Sequence, residues 1–141
     1  MDALKKTSDI KIVASADAGW FQDKARMVVD TILRNHDQID LIVAQNDRMA
    51  MGAYQEARRQ KREKEILFIG IEAGKGYGVE SVAKGELTAT FIYPTGGDKV
   101  MQVAMAILKG QKYERENYLS TAAVDKGNAR IMQLQTEHIF A

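Results

Sequence analysis

Amide, carboxylate and aromatic side chains follow the ends of several apolar segments in this chain. Asn46 comes just after the apolar run Leu41–Ala44, Glu72 follows the next apolar run, and Tyr93 ends a third. Trp20 opens the first predicted helix. Open α/β sheets bind ligands at the carboxyl ends of their strands. Amides and carboxylates bind hydroxyls, and aromatic faces stack on sugar rings. Trp20, Asn46, Glu72 and Tyr93 therefore predict a site for a hydroxyl-rich ligand.

The sequence lacks the residue combinations typical of catalysis and metal binding. It has no cysteine and two histidines, His36 and His138, which match no metal-ligand or catalytic-triad spacing. Gly74, Gly76 and Gly78 superficially match a dinucleotide-binding loop. That motif, however, follows the first strand and spaces its last glycine differently. We therefore expect no catalytic residue, no metal ion and no cofactor, and we interpret the glycines as a flexible loop.

The charge composition of the chain does not indicate a nucleic-acid partner. The 141 residues contain 20 Lys and Arg against 19 Asp and Glu, a formal net charge of +1, whereas nucleic acids and anionic membranes require a concentrated basic surface. The nearest basic run, residues 58–64, falls at the predicted end of a helix, where cations interact favourably with the helix dipole. The length is typical of one domain.

Apolar runs and helical repeats alternate along the chain. The predicted strands are 10–14, 41–44, 66–71 and 87–93, with a last extended segment at 118–124. The predicted helices are 20–35, 48–60, 79–84 and 98–109, with a moderately helical tail over 128–141. This alternation predicts an α/β fold with a doubly wound, mainly parallel sheet.

Local signals refine these elements. Asp47 is expected to cap the second helix, and Gly110 to end the fourth. The strand at 10–14 is expected to be buried, and the strand at 66–71 is apolar enough for burial on both faces.

Two segments resemble a known family. AQNDRMAMGAYQEAR, residues 44–58, closely matches the strand–Asn-Asp–helix signature of periplasmic sugar-binding proteins of the ribose- and galactose-binding type. FIGIEAGKGYGVESVAKGELTATFIYPTGGDKV, residues 68–100, matches the downstream block of the same family. The similarity runs from about Lys11 to Val124 and implies the C-terminal lobe, which lactose-repressor-type regulators share.

The resemblance assigns roles to individual residues. It implies that Asn46 binds ligand and that Trp20 stacks on the sugar ring. Glu72 stands where the family usually has a sugar-binding aspartate, and Tyr93 stands where ribose binders carry a glutamine. These two departures leave the identity of the sugar open.

The resemblance also implies an incomplete lobe. The matching sequence begins just before the family's second strand, so the central strand of the first strand–helix unit is missing, together with an arginine that follows it and the whole N-terminal lobe. Residues 1–141 are then a partial C-terminal lobe, with a core at about 10–125 and an exit segment at 126–141. Unpaired strand edges are costly when buried, so we expect pairing with another copy in a homodimer or by a strand swap.

The end of the chain narrows the function. VDKGNARIMQLQTEHI, residues 124–139, resembles the exit segment of extracytoplasmic sensor domains in hybrid two-component regulators. The favoured hypothesis is a non-enzymatic carbohydrate-recognition lobe in the periplasm, signalling by hinge closure to a histidine kinase outside this chain. A sugar-binding protein of an ABC transporter and the effector-binding core of a lactose-repressor-type regulator remain alternatives. A small α/β enzyme of flavodoxin-like or dinucleotide-binding type would need a phosphate loop after the first strand, and Ser15–Gly19 is a poor one.

Overall fold

The computed structural model describes residues 10–74 and 76–133. Its elements, in chain order, are α1 (Gln22–Asn35), β1 (Leu41–Val43), α2 (Asp47–Arg59), β2 (Leu67–Ile69), α3 (Gly78–Ala83), β3 (Ala89–Phe91), α4 (Gly97–Leu108) and β4 (Ala123–Asp125). The sheet has the order β1-β2-β3-β4. β1, β2 and β3 are parallel, and β4 runs antiparallel to β3. The predicted α/β fold with a mainly parallel sheet is confirmed.

One face of the sheet carries the core. Side chains alternate between the faces of a strand, and Ile42, Phe68, Thr90 and Val124 point to the face that α1, α2 and α3 cover. The ring of Tyr54 on α2 meets Phe68 edge-on, with the ring centroids 5.6 Å apart. Helices and strands of this chain thus form one continuous core on this side.

Helices α1 and α2 pack closely because α2 has a glycine at the crossing. A Cβ at Gly52 would lie 2.3 Å from the carbonyl oxygen of Gln22 and 3.1 Å from the Cβ of Ala25. The basic run beyond α2 closes the C-terminal end of α1. Arg62 donates hydrogen bonds of 2.8 and 2.9 Å to the carbonyl oxygens of Leu33 and His36. Cations near the last carbonyls of a helix are stabilising.

The predicted strand at 10–14 is wrong. These residues pair with no strand in the described part of the chain, and Ile10, Ile12 and Val13 are more than 40% exposed. A cavity of about 350 Å³ separates residues 13–18 from β1. The local sequence is suited to a strand, but a strand requires a neighbour at hydrogen-bonding distance.

The expected burial of the third predicted strand on both faces is also wrong. Phe68 is buried, but Leu67 points to the opposite face and is 54% exposed. Leu41, Val43 and Phe91 share that face and are similarly exposed. We call this surface, formed by Leu41, Val43, Leu67 and Phe91, the bare face.

Helix α4 and the end of the chain complete the described structure. No residue of α4 is buried, and Gly110, which follows it at φ +65°, ends it as predicted. Residues 129–133 are helical, and Ala129 lies in the core. The rest of the predicted helical tail, with His138, lies outside the described residues. None of the helices described is long and apolar enough to cross a membrane.

Candidate ligand-binding rim

Backbone hydrogen bonds place the polar strand ends in a row. The N–H of Asp47 donates to the carbonyl oxygen of Ile71 at 2.9 Å, which sets Asn46 beside Glu72. The N–H of Tyr93 reaches the carbonyl oxygen of Glu72 at 3.4 Å. Successive strands therefore carry Asn46, Glu72 and Tyr93 to the same edge of the sheet, as the strand order predicts.

Trp20 joins this row through the side chain of Asn46. The Nδ2 of Asn46 donates to the carbonyl oxygen of Trp20 at 3.3 Å, and its Oδ1 accepts the N–H of Met49 at 2.8 Å. Asn46 is only 5% exposed, whereas Trp20 is 63% exposed. Because an amide has two donors and two acceptor lone pairs, Asn46 retains one donor and one acceptor site beyond these bonds. We call Trp20, Asn46, Glu72 and Tyr93 the rim.

Two residues that the sequence reasoning missed also belong to this edge. The hydroxyl of Tyr77 donates to Oε2 of Glu72 at 3.3 Å, and the guanidinium of Arg48 lies 5.0 Å from the centroid of the Tyr77 ring. Burial and the nearby Glu72 carboxylate raise the pKa of Tyr77, so its hydroxyl stays a donor. The sequence did contain one signal for Arg48 as a residue of this edge, namely its position directly after Asn46 and Asp47.

Backbone strain is concentrated at the rim. Among the described residues, four that are not glycine have positive φ: Trp20, Lys61, Glu72 and Ala73. Three of the four are rim residues or their neighbours, with φ of +67° at Trp20 and +116° at Glu72. Such conformations cost energy and persist where the surrounding structure enforces them, often at functional sites.

A buried carboxylate behind the rim holds these segments together. Asp47 is fully buried. Its Oδ1 accepts the hydroxyl of Thr90 on β3 at 2.5 Å, and its Oδ2 accepts the N–H of Gly74 at 3.0 Å. The hydroxyl oxygen of Thr90 in turn accepts the N–H of Ala73 at 3.1 Å. One side chain thus joins α2, β3 and the loop that carries Glu72.

The predicted cap of α2 by Asp47 is therefore wrong. Asn46 is the N-cap residue, with an extended backbone at φ −147° and ψ 164° and a side chain that accepts from Met49. An N-cap residue lies just outside the helix and reaches back to its first N–H groups. Asp47 stands one position later, inside the first turn, where its side chain points into the protein.

Burial dominates the ionisation of Asp47. Desolvation raises its pKa above the ordinary value of 3.8, while the hydrogen bonds from Thr90 and Gly74 act in the opposite direction. The Glu72 carboxylate adds a smaller effect that also raises the pKa.

Glycines make room for this carboxylate. A Cβ at Gly70 would lie 2.2 Å from Oδ1 of Asp47, and a Cβ at Gly78 would lie 2.0 Å from Oδ2. Gly74 donates its N–H to the same group. Of the three glycines interpreted as a flexible loop, Gly74 and Gly78 thus have a packing role that the sequence pattern did not reveal, whereas a Cβ at Gly76 would meet nothing within 4 Å.

The described residues contain no group of three or more His, Cys, Asp or Glu side chains that could hold a metal ion. The chemistry available at the rim is that of hydrogen bonding and aromatic stacking.

A profile of the periplasmic binding protein domain family matches residues 1–112. The chain belongs to this family. The resemblance found in the sequence is thereby confirmed.

Individual relatives of this periplasmic binding protein lobe support the same family assignment. The lobe is 52% identical to a solved structure of the fructose-binding periplasmic domain of the hybrid two-component system BT1754, with a TM-score of 0.92 over 99% of this chain. It is 27% identical to a solute-binding protein of an ABC transporter from Actinobacillus succinogenes with bound D-allose, with a TM-score of 0.82 over 92% of this chain. It is 36% identical to the D-allose-binding periplasmic protein of Escherichia coli over 63% of this chain.

The lobe spans about half the length of the two solved relatives, 47% of each chain. It spans 28% of the Escherichia coli protein.

Replacing Asp47 by alanine should destabilise the lobe strongly. The change leaves the N–H of Gly74 and the buried hydroxyl of Thr90 without their acceptor, at an expected cost of about 3 kcal/mol in the free energy of unfolding. Urea denaturation measures this. The control is Asp98→Ala in the first turn of α4, an exposed site, where we expect a loss below about 0.5 kcal/mol. Equal losses in the two variants would contradict the central role of Asp47.

The stability conferred by Asp47 should depend on pH. Since its pKa is raised in the folded state, the folded protein binds this proton more tightly than the unfolded chain does. Ionisation of Asp47 therefore lowers stability as pH rises from 3.8 through the raised pKa. The free energy of unfolding of the unmodified protein relative to Asp47→Asn should fall over this interval and then level off.

Urea denaturation of both proteins at several values from about pH 4 to about pH 8 tests this dependence. Carboxyl groups that do not interact with Asp47 titrate equally in both proteins and cancel, for example Asp30, whose hydrogen bond from Arg34 lowers its pKa. A relative stability that rises with pH would mean that the fold favours the Asp47 anion.

Gly78→Ala should be costly only while Asp47 is present. The added methyl group overlaps the carboxylate, and overpacking of this kind costs about 1–3 kcal/mol. In the Asp47→Ala background the cost should nearly vanish, which a double-mutant cycle of unfolding free energies measures. Gly97→Ala is the matched control, because Gly97 also begins a helix and its Cβ would meet nothing within 4 Å. Additive effects of the Gly78 and Asp47 substitutions would contradict this contact.

Proposed function

We propose that this chain is one lobe of a two-lobed carbohydrate receptor and that the rim lines the cleft between the lobes. The observation that carries the proposal is the row of rim residues at successive strand ends. Its outer members, Trp20 and Tyr93, are 63% and 69% exposed. Large aromatic side chains left open beside buried polar groups are suited to a ligand with both apolar and hydroxyl-bearing faces. Several relatives are named for the sugars they bind, including fructose and D-allose.

Each rim residue has a role in this proposal. The ring of Trp20 stacks on the C–H face of the sugar. Asn46 uses its remaining amide donor and acceptor for hydroxyls, in a position fixed by the helix it caps. Glu72 accepts charge-assisted hydrogen bonds from sugar hydroxyls. Its Oε2 also accepts the hydrogen bond from the hydroxyl of Tyr77, which orients the carboxylate. Tyr93 forms a wall of the site and offers its hydroxyl.

The rim is open on one side, which suits binding by closure. A ligand that touches both lobes stabilises the closed arrangement by the difference in its affinity for the two states. This lobe supplies part of the contacts, so it should bind sugar weakly when alone. We propose that residues 1–141 form a partial C-terminal lobe, with a core at about 10–125 and an exit segment at 126–141.

The exit segment supports a role in signalling. Asn128 donates to the carbonyl oxygen of Ala123 at 2.9 Å and accepts the N–H of Asp125 at 2.9 Å, and the adjacent Ala129 is buried in the core. Movement of the lobe would therefore be transmitted to whatever follows residue 133. Together with the 52% identity to the BT1754 domain, this favours the periplasmic sensor domain of a hybrid two-component regulator, with the kinase outside this chain.

A free binding protein of an ABC transporter is the second candidate. Several relatives are import binding proteins, including the D-apiose import binding protein of Paraburkholderia graminis, which is 27% identical over 79% of this chain. The rim would act in the same way in both proteins, and only the consequence of closure would differ.

Substitution of Glu72 should weaken sugar binding by the intact two-lobed protein. Calorimetry with fructose, D-allose and ribose identifies the ligand. Glu72→Gln should then lower the affinity about 10- to 100-fold, because a charge-assisted hydrogen bond is lost. Glu86→Gln is the control, since this half-buried carboxylate lies before β3 at the opposite end of the sheet. The 141-residue chain alone should bind at least about 100-fold more weakly than the intact protein.

Two results would contradict the proposal. If Glu72→Gln and Glu86→Gln bind sugar with equal affinity, the rim does not belong to the binding site. If the lobe alone and the intact protein bind sugar with equal affinity, the site does not lie in a cleft between lobes. Sugar-dependent autophosphorylation of the intact protein would favour the sensor, and sugar binding without it would favour the transporter component.

A further inference from the structure

Helix α2 carries a positive charge at an electrostatically unfavourable place. Arg48 is the second residue of α2, and it is exposed. The N-terminus of a helix has a partial positive charge, which favours anions there and disfavours cations. None of the ion pairs within residues 10–74 and 76–133 includes Arg48. Neither the helix nor an ion pair therefore accounts for this arginine, and its side chain has a different partner.

That partner is the aromatic ring of Tyr77. The guanidinium carbon of Arg48 lies over the ring, 5.0 Å from its centroid, within the range of a cation–π contact. The hydroxyl end of the ring lies against Gly74, because a Cβ at this glycine would be 2.1 Å from Cζ of Tyr77. Burial raises the pKa of Tyr77, and Arg48 acts in the opposite direction. The ring is thus held by contacts with α2 and with the loop between β2 and α3.

The Tyr77 hydroxyl in turn holds one oxygen of Glu72. It donates to Oε2 at 3.3 Å, whereas no described residue donates a hydrogen bond to Oε1. The backbone of Glu72 is fixed separately: its N–H donates to the carbonyl oxygen of Phe91 at 2.9 Å, and its own carbonyl oxygen accepts the N–H of Tyr93 at 3.4 Å. Glutamate is among the residues that lose most rotamer freedom when they are ordered. The Tyr77 hydroxyl therefore determines where Oε1 of Glu72 lies.

We infer that Arg48 is a positioning residue for ligand recognition and acts on Glu72 through Tyr77. The guanidinium keeps the ring in place, the hydroxyl of the ring fixes Oε2, and Oε1 meets a hydroxyl of the sugar from a fixed position. An acceptor that is already ordered loses less freedom when the ligand binds. The inference rests on the proposed function, in which Glu72 binds a sugar hydroxyl. It adds a residue outside the rim that contributes to affinity without touching the ligand.

Arg48 should affect affinity and leave stability unchanged. Its contact with Tyr77 is favourable and its charge at the start of α2 is unfavourable, so the two effects oppose each other in the folded protein. Arg48→Met keeps a long apolar side chain and removes the cation. In the intact two-lobed protein this change should lower the sugar affinity about 3- to 10-fold, as measured by calorimetry, with no shift of the urea midpoint.

Two further variants complete this comparison. Arg48→Lys restores a cation and should recover most of the affinity. Arg58→Met removes an exposed arginine from the last turn of the same helix and should leave the affinity unchanged. Equal losses of affinity in Arg48→Met and Arg58→Met would overturn the inference, as would a fall in the urea midpoint that accounts for the loss of affinity in Arg48→Met.

A double-mutant cycle tests the path through Tyr77. Tyr77→Phe keeps the ring beneath Arg48 and removes the hydroxyl that reaches Glu72. In this background Arg48→Met should lower the affinity no further, because its effect passes through that hydroxyl. Additive losses of affinity would mean that Arg48 acts on the ligand directly, and they would overturn the inference.

The rotamer of Glu72 provides a measurement that needs no sugar. Three-bond couplings in NMR spectra of the 141-residue chain should show one rotamer of Glu72 in the unmodified protein and averaging among rotamers in Arg48→Met and Tyr77→Phe. An unchanged single rotamer in both variants would overturn the inference and leave the proposed function intact. If the intact protein binds no sugar while the rotamer still depends on Arg48, the proposed function fails, whereas the positioning of Glu72 by Arg48 is supported.

Discussion

The buried carboxylate of Asp47 is the constraint on which the rim depends. It ties the first turn of α2 to β3 through Thr90 and to the loop between β2 and α3 through Gly74. A buried charge is costly without hydrogen bonds, so these partners must stay in place, and their segments stay with them. Gly70 and Gly78 have no side chain because the carboxylate occupies that space. The edge of the sheet is thus held from behind, by a fully buried group.

This support explains how strained and open residues persist at the edge. Glu72 and Ala73 have positive φ, and the loop that carries them is bonded on both sides of the strain. Trp20 is fixed through its carbonyl by Asn46, while its ring remains exposed. A preorganised polar edge with open aromatic rings loses little freedom when a ligand arrives. In the proposed two-lobed receptor, the same edge forms one side of the cleft.

The sheet has two incompletely covered apolar surfaces, the cavity wall beside β1 and the bare face. Aliphatic residues of this kind are normally buried on both faces of a parallel sheet. Exposed apolar area of this extent marks an interaction surface in soluble proteins.

The sequence by itself determined the order of the helices and strands, since hydrophobic period and turn residues are local. It also determined that Asn46, Glu72 and Tyr93 come to one edge, because the carboxyl ends of parallel strands do so. Only the tertiary structure decided that Asn46 caps α2 while Asp47 is buried, because both residues are competent caps and the choice depends on Thr90, distant in sequence. Only the tertiary structure also decided that residues 10–14 pair with no described strand and that Leu67 is exposed, although their apolar side chains favour burial. Burial needs a neighbour, and a local pattern does not specify whether that neighbour is present.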